Sequence, residues 1–197
     1  RSDRPILTRR NSEWCNDCQI HNDSAIVPRP AGAPPVQFFY PRDEEGAAKV
    51  LREAPTMRRL VAGRLEDGSS IVLPFSRNQL HWHVLFGSAR DKVVYHFEGF
   101  GGDLRSSPIN LAFDDSLDHL GWRLVSVRLH LQSDSSSCGI WIQVARDCWL
   151  EYVASTEHGN AAFASFIEER LKGEGVQGEN GLKGTALSKA RKANEQY

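Results

Sequence analysis

The sequence carries no excess of charge, no long apolar run, no internal repeat and few cysteines, and each absence excludes a class of function. Lys plus Arg number 24 against 25 for Asp plus Glu, so a net charge of −1 offers no general attraction to nucleic acid or an anionic membrane. No apolar stretch approaches the length needed to cross a bilayer, and the opening RSDRPILTRR lacks the apolar centre of a secretory signal. The first residue is not Met, so the chain is expected to be a fragment of something longer. The four cysteines are Cys15, Cys18, Cys138 and Cys148. Cys138 and Cys148 fall on one predicted helix at a separation of roughly 15 Å of rise, too far for a disulfide. Reduced thiols and an intracellular working place, cytoplasm or nucleus, are the expectation. CNDC with His21 supplies part of a zinc site, but no second ligand pair follows, so neither a metal nor another cofactor is expected.

What is present suits one core. A chain of 197 residues with 40% hydrophobic residues reads as one domain over 1–175 followed by a flexible, Gly-rich and then basic tail over 176–197. Residues 1–41 are expected to be irregular, since Pro28, Pro30, Pro34 and Pro35 break any long element, apart from a short helix near Ser12 or Glu13. DEEGAAKVLREA and TMRRLVAGRL are helical in pattern and divided at Pro55. SSIVLPF, HWHVLFG, KVVYHFE and RLVSVRLHL read as strands separated by polar turns. Helices are expected again at 139–155 and about 160–172. The fold class is α+β, a small and largely antiparallel sheet flanked by helices.

In LQSDSSSCGIWI a polar run meets a helix. From Gly139 the apolar positions Ile140, Trp141, Val144, Ala145, Cys148, Trp149, Tyr152 and Val153 follow one buried helical face. Cys138 therefore stands at the helix start, where unpaired N–H groups and the helix dipole favour an anion such as a thiolate. A nucleophile also needs a base. His21, His119 and His158 lie in predicted loops or element ends with nothing reactive beside them. His81 opens HWHVLFG, and a short SARD connection leads into KVVYHFE, so an antiparallel pair brings His81 close to Glu98. That carboxylate can fix the imidazole tautomer and stabilise imidazolium. Asp91, in the connecting turn, and Asp103 are the rival acids.

These residues, in this order, resemble the Ulp/SENP family of ubiquitin-like-protein proteases, whose clan includes the adenovirus protease. LHWHVLFGSARDKVVYHFEGFGG supplies a His-Trp pair, His81 and Trp82, opening a strand, and the acid Glu98 at the end of the next. LQSDSSSCG supplies Gln132 six residues before Cys138 and Gly139. EWCNDCQI is similar to the family's upstream WLNDEVI-like phrase, with Trp14, Asn16 and Asp17. The matches span residues 13–155.

The resemblance implies a cysteine-protease fold with the nucleophile at a helix N-terminus and a monomer that needs no cofactor. It implies Cys138 as nucleophile, His81 as base and acid, Glu98 as the orienting carboxylate and Gln132 as oxyanion donor. Trp14 and Trp82 would close a tunnel over a Gly-Gly end, with Asp17 and Gly139 also on the substrate side. The implied partner is SUMO, NEDD8 or ubiquitin and its conjugates, with the choice expected in exposed surfaces such as 22–68. Two departures matter: the acid is usually Asp, and Ser135, Ser136 and Ser137 replace the usual residues before Cys-Gly. The Yop-type effector acetyltransferases of the same clan use His-Glu-Cys with a serine-rich lead-in, which makes acetyl transfer the alternative. A third class, a catalytically dead modifier-binding adaptor, is opposed by the presence of all four catalytic residue types. The divergence also points to a bacterial effector delivered into a host cell or a distant eukaryotic paralogue.

Overall fold

SIVLPF, HWHVLFG and VVYHF carry apolar residues at nearly every position, which suits strands covered on both faces. A computed structural model of the chain describes residues 20, 32–62, 70–133, 135, 137–155 and 163–172, and has that arrangement. The segment holding Trp14, Cys15, Asp17, Cys18 and His21, the helix expected near Ser12, and the tail 176–197 lie outside the described residues. The strands are β1 (Val36–Phe38), β2 (Arg42–Asp43), β3 (Ser70–Arg77), β4 (His81–Ser88), β5 (Val93–Phe97) and β6 (Arg123–Ser126). The helices are α1 (Glu44–Glu53), α2 (Pro55–Val61), α3 (Pro108–Ser116), α4 (Cys138–Ala154) and α5 (Phe163–Lys172).

The strands form one six-stranded sheet in the order β1-β3-β4-β5-β6, with β2 also on β3. Its centre is the expected antiparallel meander, with Ser70↔Ser88 to Arg77↔His81 between β3 and β4, and Val84↔Phe97 to Ser88↔Val93 between β4 and β5. The β3–β4 turn places Asn78 and Gln79 at φ 55° and 57°, a left-handed pair whose twist matches that of the strands. Parallel strands complete the edges. Pro74 cannot donate to a ladder, and it falls between the β1 partners, which end at Val72, and the β2 partners, which begin at Phe75.

On one face Ile71, Leu73, Phe75, Leu85 and Val94 pack against α1, α2 and α3; on the other Val72, Trp82, Val84, Phe86, Tyr95 and Phe97 pack against α4 and α5. Asp43 caps α1 by accepting from the Gly46 N–H at 2.6 Å, with Glu44 and Glu45 in the first turn. Three features differ from the sequence expectation. Val36–Phe38 forms a strand inside the stretch read as irregular. α3 was not anticipated, although Ser107 as N-cap and Pro108 at the first helical position are a start signal, followed by buried Ile109, Ala112 and Phe113. RLVSVRLHL is a strand only to Ser126, because β5, its partner, ends at Phe97 and gives way to a glycine loop. No helix among the described residues is long and apolar enough to cross a membrane.

Trp149 joins sheet and helices. Its ring packs against Phe86, Tyr95, Tyr152 and Phe163, and its Nε1–H donates to Ser70 Oγ at 3.1 Å. Trp149→Ala is expected to cost about 3–5 kcal/mol in urea unfolding. Leu111→Ala, on a residue 62% exposed, should stay within about 0.5 kcal/mol.

Candidate active site

Antiparallel pairing of β4 and β5 brings the start of one beside the end of the other. His81 Nε2 lies 2.6 Å from Glu98 Oε2, with side-chain exposures of 21% and 4%. The rival acids are engaged elsewhere. Asp103 pairs with Arg105 and Arg128, both at 2.9 Å, and Asp91 accepts from Tyr152 Oη at 3.2 Å.

Glu98 is held by the loop that follows it. Phe100 N–H donates to Oε2 at 2.9 Å, and Gly102 N–H donates to Oε1. Burial pushes the Glu98 carboxyl up, but the His81 hydrogen bond and those backbone donors outweigh it and hold it below its ordinary value. EGFGG explains itself here. A Cβ on Gly102 would stand 2.8 Å from Glu98 Oε1, and one on Gly99 would stand 2.7 Å from the Gln132 Cβ. Either would push apart groups that this loop exists to bring together.

Cys138 is fully buried at the first position of α4. Ser137 makes no side-chain cap, while its carbonyl accepts from Ile140 and Trp141 N–H at 3.0 and 3.1 Å. The thiol is a hydrogen-bonding neighbour of His81. Burial pulls the His81 imidazole down, but the hydrogen bonds to Cys138 and Glu98 and their charges more than offset it, so its pKa is raised to about 9. Cys148 is a second buried cysteine outside any disulfide, ten positions further along the same helix as read from 148 and 138.

Gln132 is fully buried, and the Leu131 and Gln132 N–H groups both donate to Gly99 O, at 2.9 and 2.8 Å. The chain leaving β6 is thereby tied to the loop that holds Glu98. Trp82, adjacent to His81, points to the opposite face and is 6% exposed in the same apolar cluster as Cys138. Gly139 is buried beside Cys138. The structure thus gathers His81, Glu98 and Cys138 and ties Gln132 to the Glu98 loop; Trp14 and Asp17 lie outside the described residues.

Sequence reasoning overlooked two histidines beneath this group. His83 Nδ1 lies 2.8 Å from His96 Nε2, and His96 Nδ1 lies 3.2 Å from Ser126 Oγ. Burial, then His96 and the His81 charge, pull His83 down to about 2; burial and Arg77 bring His96 to about 3. Both are therefore neutral at pH 7. Their place inside near-continuous apolar runs, His83 in HWHVLFG and His96 in VVYHF, was the available signal of burial, because strands covered on both faces enclose every position.

Solved structures share this fold. The chain is similar to XopD, a Xanthomonas campestris effector protein solved bound to ubiquitin, at TM-score 0.50 and 18% identity, covering 100% of this chain and 96% of that one. It is similar to the SUMO protease Ulp1, solved with its catalytic cysteine oxidized to a sulfenic acid, at TM-score 0.52 and 15% identity, covering 83% and 78%. A de-sumoylating protease matches at TM-score 0.50 and 14% identity, covering 94% and 79%. The likeness is one of fold: this is the α+β architecture of Ulp1-like cysteine proteases. No family model and no curated protein sequence matches the chain.

The histidine pair makes stability acid-sensitive. A histidine whose folded pKa is depressed contributes stability that is present above pH 6.5 and lost as pH falls toward the folded value, because the unfolded chain takes up a proton that the folded chain refuses. His81, raised instead, gives its full contribution below 6.5 and loses it as pH rises through about 9. Between pH 6.5 and 5.5 urea unfolding should therefore show a loss of about 1 kcal/mol for each of His83 and His96, the slope nearing about 1.4 kcal/mol per pH unit only at lower pH. His83→Leu/His96→Leu should flatten that slope whatever its absolute stability; an unchanged slope would refute the assignment.

Proposed function

We propose that the protein is a cysteine peptidase, an isopeptidase that cleaves after the C-terminal Gly-Gly of a ubiquitin-like modifier, SUMO foremost, with ubiquitin and NEDD8 as further candidates. The observation that carries this reading is one imidazole, His81, in hydrogen-bonding contact with a buried thiol, Cys138, and a buried carboxylate, Glu98. Neighbours with the same fold, SUMO proteases and a ubiquitin-bound effector, support it. The catalytic domain is assigned to 1–175 and the tail to 176–197.

Glu98 occupies Nε2 of His81, so Nδ1 is the nitrogen left for the thiol. Proton transfer gives a thiolate beside an imidazolium that Glu98 stabilises. The thiolate attacks the carbonyl carbon of the terminal glycine, and the developing oxyanion accepts from the Gln132 side-chain amide and the Cys138 backbone N–H. As the C–N bond breaks, His81 gives its proton to the leaving amine, and a thioester stands on Cys138. Water, deprotonated by His81, then attacks the thioester, releasing the modifier's carboxylate and restoring the thiol. Trp82, on the Cys138 side of the sheet, with Trp14 and Asp17, would line the path of the Gly-Gly end, and Gly139 adds no Cβ beside the nucleophile.

Modifiers bearing a C-terminal electrophile test this directly. SUMO, NEDD8 and ubiquitin probes should label wild-type and Cys148→Ala protein and leave Cys138→Ala unlabelled. Labelling that survives Cys138→Ala would sink the nucleophile assignment. Acetylation of Cys138 by acetyl-coenzyme A without cleavage of any conjugate would favour the acetyltransferase reading instead.

Activity should fall on the alkaline side as His81 loses its proton, with kcat/KM declining near pH 9. Glu98→Gln should lower kcat by roughly 10²–10⁴ and bring that decline toward 6.5, because the carboxylate that favours imidazolium is gone. Gln132→Ala should lower kcat by about 10²–10³ without moving the pH limb. Asp91→Asn should do little; Asp103→Asn exceeding Glu98→Gln would mean that the acid is misassigned.

A further inference from the structure

Phe100 is a large apolar residue that stays 44% exposed, on a loop otherwise made of Gly99, Gly101 and Gly102. Its ring is not idle. It lies nearly parallel to the His81 imidazole, with centroids 5.1 Å apart and planes 23° apart, and its own edge is braced by His130 at 6.0 Å. His83 contacts His81 edge-on, at 5.0 Å and 84°. The Phe100 N–H meanwhile donates to the carboxylate oxygen that accepts from His81.

We propose that Phe100 is a positioning residue for His81, its ring fixing the plane of the imidazolium between Cys138 and Glu98 and screening the His81–Glu98 hydrogen bond from water. The inference rests on the reading of His81 as the base. One hydrogen bond to Glu98 anchors Nε2 but leaves the imidazole free to turn about that anchor. A flat partner stacked on the imidazole, Phe100, and a perpendicular one, His83, remove that freedom. A charged imidazole also gains from the negative face of a benzene ring, while a neutral His83 adds no opposing charge. Loop glycines alone would hold Glu98; they would not hold the ring.

The test uses Phe100→Ala, Phe100→Leu and Phe100→Tyr in the full chain, with thermal unfolding as the check on folding. The side chain is half exposed and its backbone donor survives substitution, so melting temperatures should stay within a few degrees of wild type. NMR titration of His81 and the pH profile of Cys138 alkylation by iodoacetamide require no modifier. Phe100→Ala and Phe100→Leu should lower the His81 titration by about half a pH unit, and Phe100→Tyr, which keeps the ring face, should restore it. On a cleavable modifier substrate, Ala and Leu should lower kcat roughly two- to fivefold with KM unchanged. A shifted His81 titration without cleavage of any modifier would support the positioning role and overturn the protease reading. An unchanged titration and alkylation profile in Phe100→Ala, or a change confined to KM, would overturn the positioning role.

Discussion

A carboxylate buried at the end of a strand has to stay charged, and much of the site follows from that constraint. An unpaired anion in a low-dielectric position takes up a proton instead. Glu98 avoids this with the His81 ring and two backbone N–H groups, and those donors converge only because the chain after β5 folds back as EGFGG. The same turn exposes the Gly99 carbonyl, which receives Leu131 and Gln132. One short loop therefore fixes the acid, presents Phe100 and locates the glutamine. Glu, one methylene longer than Asp, reaches from the strand end into this cup of donors.

Beneath the charged pair lies a layer that works because it is uncharged. Protonating His83 or His96 would bring a cation close to the His81 imidazolium, while His83 bonds to His96 and His96 to Ser126, neither of them a carboxylate. His83 Nδ1 and His96 Nε2 satisfy each other, and Ser126 takes His96 Nδ1, so three of the pair's four ring nitrogens have partners among apolar side chains. The arrangement separates roles by environment: the partly exposed histidine beside a thiol and a carboxylate is biased toward charge, and the two enclosed ones are denied it.

What was legible in the sequence was what local physics decides. The meander follows from apolar runs punctuated by SRNQ and SARD, α4 from the spacing after Gly139, and the His81–Glu98 pair from a tight connection between neighbouring strands. What was not legible depends on distant parts of the chain. β1 and β2 are too short to declare themselves and exist only as parallel partners of β3. The end of β6 is set by where β5 stops, and no pattern within RLVSVRLHL encodes that. α3 could have been found from Ser107-Pro108, but a nine-residue helix between polar turns gives few repeats of its period. Gln132 was reached only through resemblance, since its tie to Gly99 is a contact between a loop and a loop.

The His-Trp dipeptide has a geometric reason as well. Successive strand residues point to opposite faces, so His81 stands with His83 and Phe75 on one side of the sheet while Trp82 enters the cluster that holds Cys138 on the other. A histidine in mid-strand would have the sheet between it and a thiol carried on the opposite face. Because His81 opens β4, the sheet ends there, and the imidazole can meet a thiol at the start of a helix packed on the far side. Placing the imidazole and the thiol at element termini, one strand start and one helix start, is thus what allows two faces of one sheet to contribute to a single cluster.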